Sequence, residues 1–234
     1  MKIKANVLRK FLSKITLDGA IQTGLLQFKE EGLYLKLQAA NVVFCEGSLC
    51  KTAFNEYEAI GDIGIKNNPM FIALINRYGE KLIELKKDEN KLKILSETGS
   101  TFYVLCDKEM VDNYSEKVPE LEQLDTGFTL NSERLDSIKE AADILKVQTT
   151  LVIVKENNLV MSVSNDVGDS ITEETGVSYK DCAGKYGDFL QKTVSVVEGQ
   201  VIISLDENYP IQIKEVRPSY SMKYIITPMV STED

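Results

Sequence analysis

The stretch Phe71-Ile-Ala-Leu-Ile-Asn-Arg-Tyr-Gly-Glu-Lys-Leu-Ile-Glu-Leu85 carries an apolar segment through Gly79 into an alternating run. That is the order expected of a short helix turning into a strand. The order returns in Phe189-Leu-Gln-Lys-Thr-Val-Ser-Val-Val-Glu-Gly-Gln-Val-Ile-Ile-Ser-Leu205, at an offset of 118 residues (71 to 189). Nearer the start, the amphipathic segment from Asn6 has its echo near Ser132, at an offset of 126 residues. Similar offsets at two separated places read as an internal duplication. Each half follows the order helix, paired strands, helix, paired strands, and such a repeat suits a ring-building scaffold better than a pocket around one set of catalytic groups.

Working outward, Val7, Leu8, Phe11, Leu12 and Ile15 fall on one helical stripe, with Asn6, Arg9, Lys10, Ser13 and Lys14 on the other. That outer face holds three positive charges and no negative one. A solvated surface helix and a phosphate-facing helix both fit it. From Gly24 the period changes to two. Leu25 to Phe28, the turn Lys29-Glu-Glu-Gly32 and Leu33 to Gln38 read as a hairpin, followed by a strand from Val42 to Leu49. Asn68 to Tyr78 reads as a second helix, with Pro69 in its first turn and Gly79 at its end. Strands then run Lys81 to Lys86, Lys91 to Ser96 and Thr101 to Cys106.

From Asp107 to Thr126 the composition turns polar and acidic around Pro119, which marks a connector. The domains are therefore 1–106 and 127–234, joined by 107–126. Val118, Leu121 and Leu124 stand out in the connector, either pinning it to the body or forming part of a docking surface. In the second half Ser132 is placed as an N-cap for a helix to Leu145. Strands are expected at Thr150 to Val154, Leu159 to Ser164 and within Ser170 to Tyr179. A short helix follows from Lys185 to Thr193, then strands Gln200 to Asp206, Ile211 to Val216 and Met222 to Ile226. The tail Val230 to Asp234 is expected to be disordered. The fold class is α+β, with two similar domains of antiparallel sheets and two helices each.

Composition narrows the chemistry. The 234 residues are 43% hydrophobic, enough to fill real cores, and no apolar run has transmembrane length. The opening Met1-Lys-Ile-Lys-Ala-Asn has no signal-peptide core, so a soluble intracellular protein is expected. Cys45, Cys50, Cys106 and Cys182 lack zinc-site spacing and disulfide density, and read as reduced thiols. The chain contains no His, which removes imidazole-based triads and most catalytic zinc sites. No phosphate-cradling Gly loop is present. Acidic pairs such as Glu30 with Glu31 and Glu173 with Glu174 fit solvated turns and edges, so no catalytic residue, metal site or cofactor is expected. A net charge of −9 excludes a surface that coats nucleic acid all round but permits a local basic face. If the four helices line one face, their outward cations are Arg9, Lys10 and Lys14, then Arg77, then Lys139 and Lys146, then Lys185 and Lys192.

Four strings, in order along the duplicated chain, resemble the DNA sliding clamps of the proliferating-cell nuclear antigen type. Val7-Leu-Arg-Lys-Phe-Leu12 is similar to the family's first DNA-facing helix, and Gly32-Leu-Tyr-Leu-Lys-Leu-Gln-Ala-Ala-Asn-Val-Val43 to its first long hairpin strand and following loop. Tyr209-Pro-Ile-Gln-Ile-Lys-Glu-Val216 and Met222-Lys-Tyr-Ile-Ile-Thr-Pro228 resemble the closing strands. The resemblance implies a trimeric ring, helices around the hole and sheets outside. It implies a non-enzymatic processivity factor on double-stranded DNA, served by a clamp loader, that tethers polymerase, ligase and nuclease through short peptides. The place would be the nucleus of a eukaryote, or the nucleoid in an archaeon or a virus-infected prokaryote, with no membrane partner. Arg9, Lys10 and Lys192 match DNA-facing positions. Val42, Phe44, Pro210, Ile226, Thr227 and Pro228 match the peptide groove, with Val118, Leu121 and Leu124 in the right region. Subunit contact joins two edge strands, placed here at Thr101, Tyr103 and Leu105 and at Ile171 and Glu173.

This chain departs from the family at the helices. Ile72 and Ile75 stand where Lys is frequent, and Glu133, Asp136, Glu140 and Asp143 compete with Arg134, Lys139 and Lys146. DNA contact is therefore expected to concentrate on the first and fourth helices. Two other readings stay open on sequence alone: a metal-dependent hydrolase with carboxylate ligands, and a clamp relative that acts as a monomer or as part of a heterotrimer.

Overall fold

The computed structural model describes residues 1–121, 124, 126–155, 158–165, 170–177 and 181–229, excepting the side chains of 126, 155 and 170–177. The tail Val230 to Asp234 lies outside the described residues. The chain divides into two compact units that exchange short pieces. Unit 1 holds Met1–Ala39, Cys45–Val118 and Val216–Met222, and unit 2 holds Ala40–Phe44, Pro119–Glu215 and the rest of the C-terminus.

Unit 1 opens with β1 (Lys2–Lys4) and α1 (Ala5–Ile15), then β2 (Gly24–Lys29), β3 (Gly32–Ala39), β4 (Val43–Cys50) and β5 (Gly61–Ile65). It closes with α2 (Asn68–Asn76), β6 (Leu82–Asp88), β7 (Lys91–Ser96) and β8 (Gly99–Val104). Strands pair as β1-β6-β7-β8 and as β5-β2-β3-β4. The β2–β3 turn requires glycine, because Gly32 has φ +149° and a Cβ there would meet the Leu49 carbonyl oxygen at 2.1 Å. Leu8, Phe11, Leu12 and Ile15 of α1 are buried as the periodicity predicts, and α1 packs on α2 through Phe71 and Ile75. Helix α2 starts where the Asn67 side chain accepts a hydrogen bond from Met70 N at 2.8 Å.

Unit 2 repeats this element for element: β9 (Thr126–Asn131), α3 (Glu133–Leu145), β10 (Thr150–Lys155), β11 (Asn158–Ser164), β12 (Ser170–Val177) and β13 (Cys182–Tyr186). After these come α4 (Asp188–Val196), β14 (Gln200–Leu205), β15 (Ile211–Val216) and β16 (Tyr220–Ile226). Its sheets are β9-β14-β15-β16 and β13-β10-β11-β12, which match those of unit 1 strand for strand. The duplication read from two segments therefore extends to the whole topology. Each unit also has two strands that the sequence reading omitted, β1 with β5 and β9 with β13.

Three expectations are corrected. Helix α4 begins at Asp188, so Lys185 lies on strand β13. Ser132 is itself in helical conformation and makes no side-chain cap, while Asn131 Oδ1 accepts from Glu133 N at 3.4 Å. The connector is not simply polar linker up to Val118. Asn113 ties it to unit 1, its amide donating to Gln38 O at 2.9 Å and its Oδ1 accepting from Thr23 N at 3.1 Å.

Candidate functional site

Positive charge collects on α1. Lys10 is exposed and Arg9 half-buried, and no acidic residue occupies the first turn. Lys14 does not join them. It is 3% exposed, with its ammonium 5.7 Å from the centroid of the Tyr220 ring. Three positions after Phe11, Lys14 stands on the shoulder of the apolar stripe, where the stem packs and an aromatic face meets the charge.

The other helices carry less positive charge. On α2 only Arg77, the exposed C-cap, is a cation. On α3 the exposed Glu133, Asp136, Glu140 and Asp143 surround the half-buried Lys139. Lys146 follows as the exposed C-cap, at φ +56°. On α4 Lys192 donates to Asp188 one turn earlier and lies 4.9 Å from the Phe189 ring centroid, so its charge is already matched. Contact through the fourth helix, expected from sequence, loses its main cation to that pair, and Lys185 is on a strand. Arg9, Arg77 and Lys139 remain as helix cations without an ion pair among the described residues, and Lys10 stands exposed beside Arg9 on α1.

A second constellation forms in unit 2 where the 40–44 piece meets the C-terminal segment. Ala40 and Asn41 take successive left-handed conformations, φ 52° and 55°, in the turn before Val42. The Val42 carbonyl then accepts from Thr227 N at 2.8 Å and from Thr227 Oγ1 at 3.3 Å. Val42, Phe44, Thr227 and Pro228 are half-buried, which leaves part of each side chain for a partner. Ile226 is 0% exposed and belongs to the core, so it cannot touch a peptide directly. Pro210 is half-buried, and the residue before it is held by the buried Tyr186, whose hydroxyl donates to Tyr209 O at 2.8 Å. Leu121 and Leu124 are half-buried in unit 2, whereas Val118 is buried in unit 1. Sequence reasoning missed the Tyr186–Tyr209 tie because it read the chain from Lys185 as helix.

The sheet edges are the third feature. β8 ends one sheet and β12 another. Along β8 the faces differ from the expectation. Tyr103 is a core residue, and Thr101 turns inward to accept from Tyr78 OH at 2.8 Å. Phe102 and Val104 point outward at 52% and 49% exposure, with the Lys93 ammonium 5.4 Å from the Phe102 ring centroid. Leu105 is half-buried beyond the strand. Ile171 and Glu173 lie on β12 by their backbone, paired with Val163 and Met161, and their side chains lie outside what is described. None of the four cysteines forms a disulfide. Among the described residues no three His, Cys, Asp or Glu side chains gather as a metal site, and no helix is long and apolar enough to cross a membrane.

No family model matches the sequence, and no curated protein matches it either. Solved structures do. One is A. fulgidus PCNA, from a structure with the C-terminal region of FEN-1 bound, at TM-score 0.83 and 20% identity over 99% of this chain and 98% of that one. The fold is the sliding-clamp fold. The same clamp fold relates the chain to proliferating cellular nuclear antigen from Entamoeba histolytica (TM-score 0.80, 15% identity, 98% of both chains). A chain of the PCNA2–PCNA3 complex from Sulfolobus tokodaii is also similar (TM-score 0.77, 16% identity, 97% of this chain and 98% of that one). The clamp fold thus spans nearly the whole chain at low identity, with the duplicated β-α-β-β-β-β-α-β-β-β order as its internal signature.

Proposed function

We propose that this chain is a non-enzymatic DNA sliding clamp that closes as three copies around duplex DNA and tethers polymerase and other DNA-processing enzymes through short peptides. The observation that carries the reading is the whole-length likeness to clamp structures. Arg9, Lys10, Arg77 and Lys139 then face the duplex, with α1 contributing most. Phosphate contacts of this kind carry no sequence information and permit sliding. Val42, Phe44, Pro210, Thr227 and Pro228 form the peptide groove over the Ile226 core, with Leu121 and Leu124 at its border. The protein would work wherever its DNA is replicated, in a nucleoid or a nucleus, after placement by a loader.

The deciding experiment is the solution mass by light scattering over a range of concentrations. The expected value is 78.6 kDa, three times the 26.2 kDa of one chain. A second reading, one subunit of a heteromeric ring, is favoured by the likeness to a chain from a complex of two different PCNAs. A stable monomer that trimerises only with a second chain would select it. A monomer with chelator-sensitive hydrolytic turnover would overturn both.

Arg9→Glu with Lys10→Glu is expected to leave the fold intact and to depress clamp-dependent DNA synthesis. The slope of log affinity for DNA against log salt should shrink by about 2, one for each lost phosphate contact. An unchanged slope would remove α1 from the DNA path. Pro228→Ala is expected to weaken a clamp-binding peptide by about 1–2 kcal/mol in calorimetry, as for a partly exposed anchor. Undiminished affinity would take Pro228 out of the groove. Ile226→Ala is unsuitable for that test, since it would open a core cavity.

A further inference from the structure

On the face of the β12-β11-β10-β13 sheet turned away from its core lies a hollow of about 540 Å³. Strand register builds it. Leu151 of β10 stands opposite Ser162 of β11 on one side and Lys185 of β13 on the other, so all three point to one face. Val152, Val154, Met161 and Val163 alternate with them and are buried on the other face. Ser164 continues the row, and the segment after α3 adds Lys146 and Thr149.

Its charge is unlike that of three other surface hollows. Among the described residues Lys146 and Lys185 line it, and no carboxylate does. Elsewhere cations and acids are mixed: Lys86 and Lys87 with Glu56, Glu58 and Glu84, Lys2 and Lys81 with Glu84 and Glu97, Lys87 and Lys108 with Asp62, Glu89 and Asp107. On a chain of net charge −9, two ammonium groups in a concavity with no acid among its described lining residues favour anions. Among the described residues the side chains of Lys146, Lys185, Ser162 and Ser164 make no hydrogen bond or ion pair, which leaves two charged and two neutral donors available.

We propose that this hollow binds a phosphomonoester or free phosphate. Two lysines match the charge of about −1.5 to −2 that such a group carries at neutral pH, and the serine hydroxyls suit its remaining oxygens. A DNA backbone phosphate carries one charge and matches it less well. Within unit 2, Lys185 sits on the sheet face opposite the one that packs against α3 and α4. The proposal does not depend on the clamp reading.

The test titrates the full chain with inorganic phosphate at constant ionic strength, following the heat of binding. Saturable binding is expected, at least tenfold weaker in the Lys146→Gln, Lys185→Gln double variant and restored when both are Arg. Because a phosphomonoester loses a negative charge below a pKa of about 6, affinity for O-phosphoserine should fall as pH drops through that value. Both lysines are exposed, so equal thermal stability of wild type and variant without phosphate serves as the folding control. O-phosphoserine as a second probe separates the two sources, binding as well as free phosphate if a phosphorylated side chain is the occupant. No saturable binding, or equal midpoints in wild type and the Gln variant, would overturn the site. Displacement of phosphate by duplex DNA lacking terminal phosphates would overturn the preference for a phosphomonoester over a backbone phosphate.

Discussion

Tyr103→Ala is expected to lower the free energy of unfolding by about 3–5 kcal/mol, the range for deleting a buried aromatic ring. Urea denaturation at an unchanged slope is the measurement. The ring is 1% exposed and meets Phe71 of α2 edge to face at 5.0 Å. Its hydroxyl accepts from Asn67 N at 3.1 Å and lies 3.3 Å from Asn67 O. Asn67 also caps α2, so the side chain joins an edge strand to the start of a helix. Burial, above all, raises the phenol above its usual pKa, and the group stays a protonated donor. Tyr103→Phe keeps the ring and loses only the polar tie, at about 1–1.5 kcal/mol. A loss below about 1 kcal/mol in the alanine variant would mean that the ring does not anchor the strand.

Tyr103 also shows where the sequence stops being readable. In Thr101-Phe-Tyr-Val104 every residue favours a strand, and no polar partner alternates with an apolar one to name the face. Leu33-Tyr-Leu-Lys-Leu-Gln38 alternates cleanly, and its strand and inward residues were legible at once. β5 and β13 were hidden by glycine. Gly61-Asp-Ile-Gly-Ile65 and Cys182-Ala-Gly184 were assigned no element and Lys185 onward was read as helix, although Gly64 pairs with Cys106 in a bridge. β1 has three residues, too few for any period to declare itself. The apolar stripe of α1 was legible apart from the half-buried Val7, but the burial of Lys14 was not, because Tyr220, whose ring its ammonium approaches, lies far along the chain. The charge balance of α4 was available in principle, since Asp188 and Lys192 are four apart. It was missed because the helix was started too early.

A chain carrying Phe102→Asp with Val104→Asp is expected to scatter as the 26.2 kDa monomer under conditions where the proposed clamp is expected to give three times that mass. β8 ends its sheet with unpaired backbone groups, and the two side chains pointing out from it are apolar and about half exposed. Such an edge is a template for a strand from another copy, and β12, also a sheet edge, is the proposed partner. A head-to-tail pairing of two unlike edges can close a ring when its rotation fits. Burying a Phe and a Val contributes roughly 1.5–3 kcal/mol each, and an aspartate in their place must be stripped of water, which the Lys93 ammonium facing position 102 offsets only in part. Together they should cost at least about 4 kcal/mol per interface, near a thousandfold in association constant. Folding should survive, because both side chains stand outside the core that holds Tyr103. This variant and Tyr103→Ala are therefore expected to separate two effects on one strand, assembly without unfolding and unfolding through the core. A double aspartate chain that stays trimeric at micromolar concentration would exclude β8 as the joining edge.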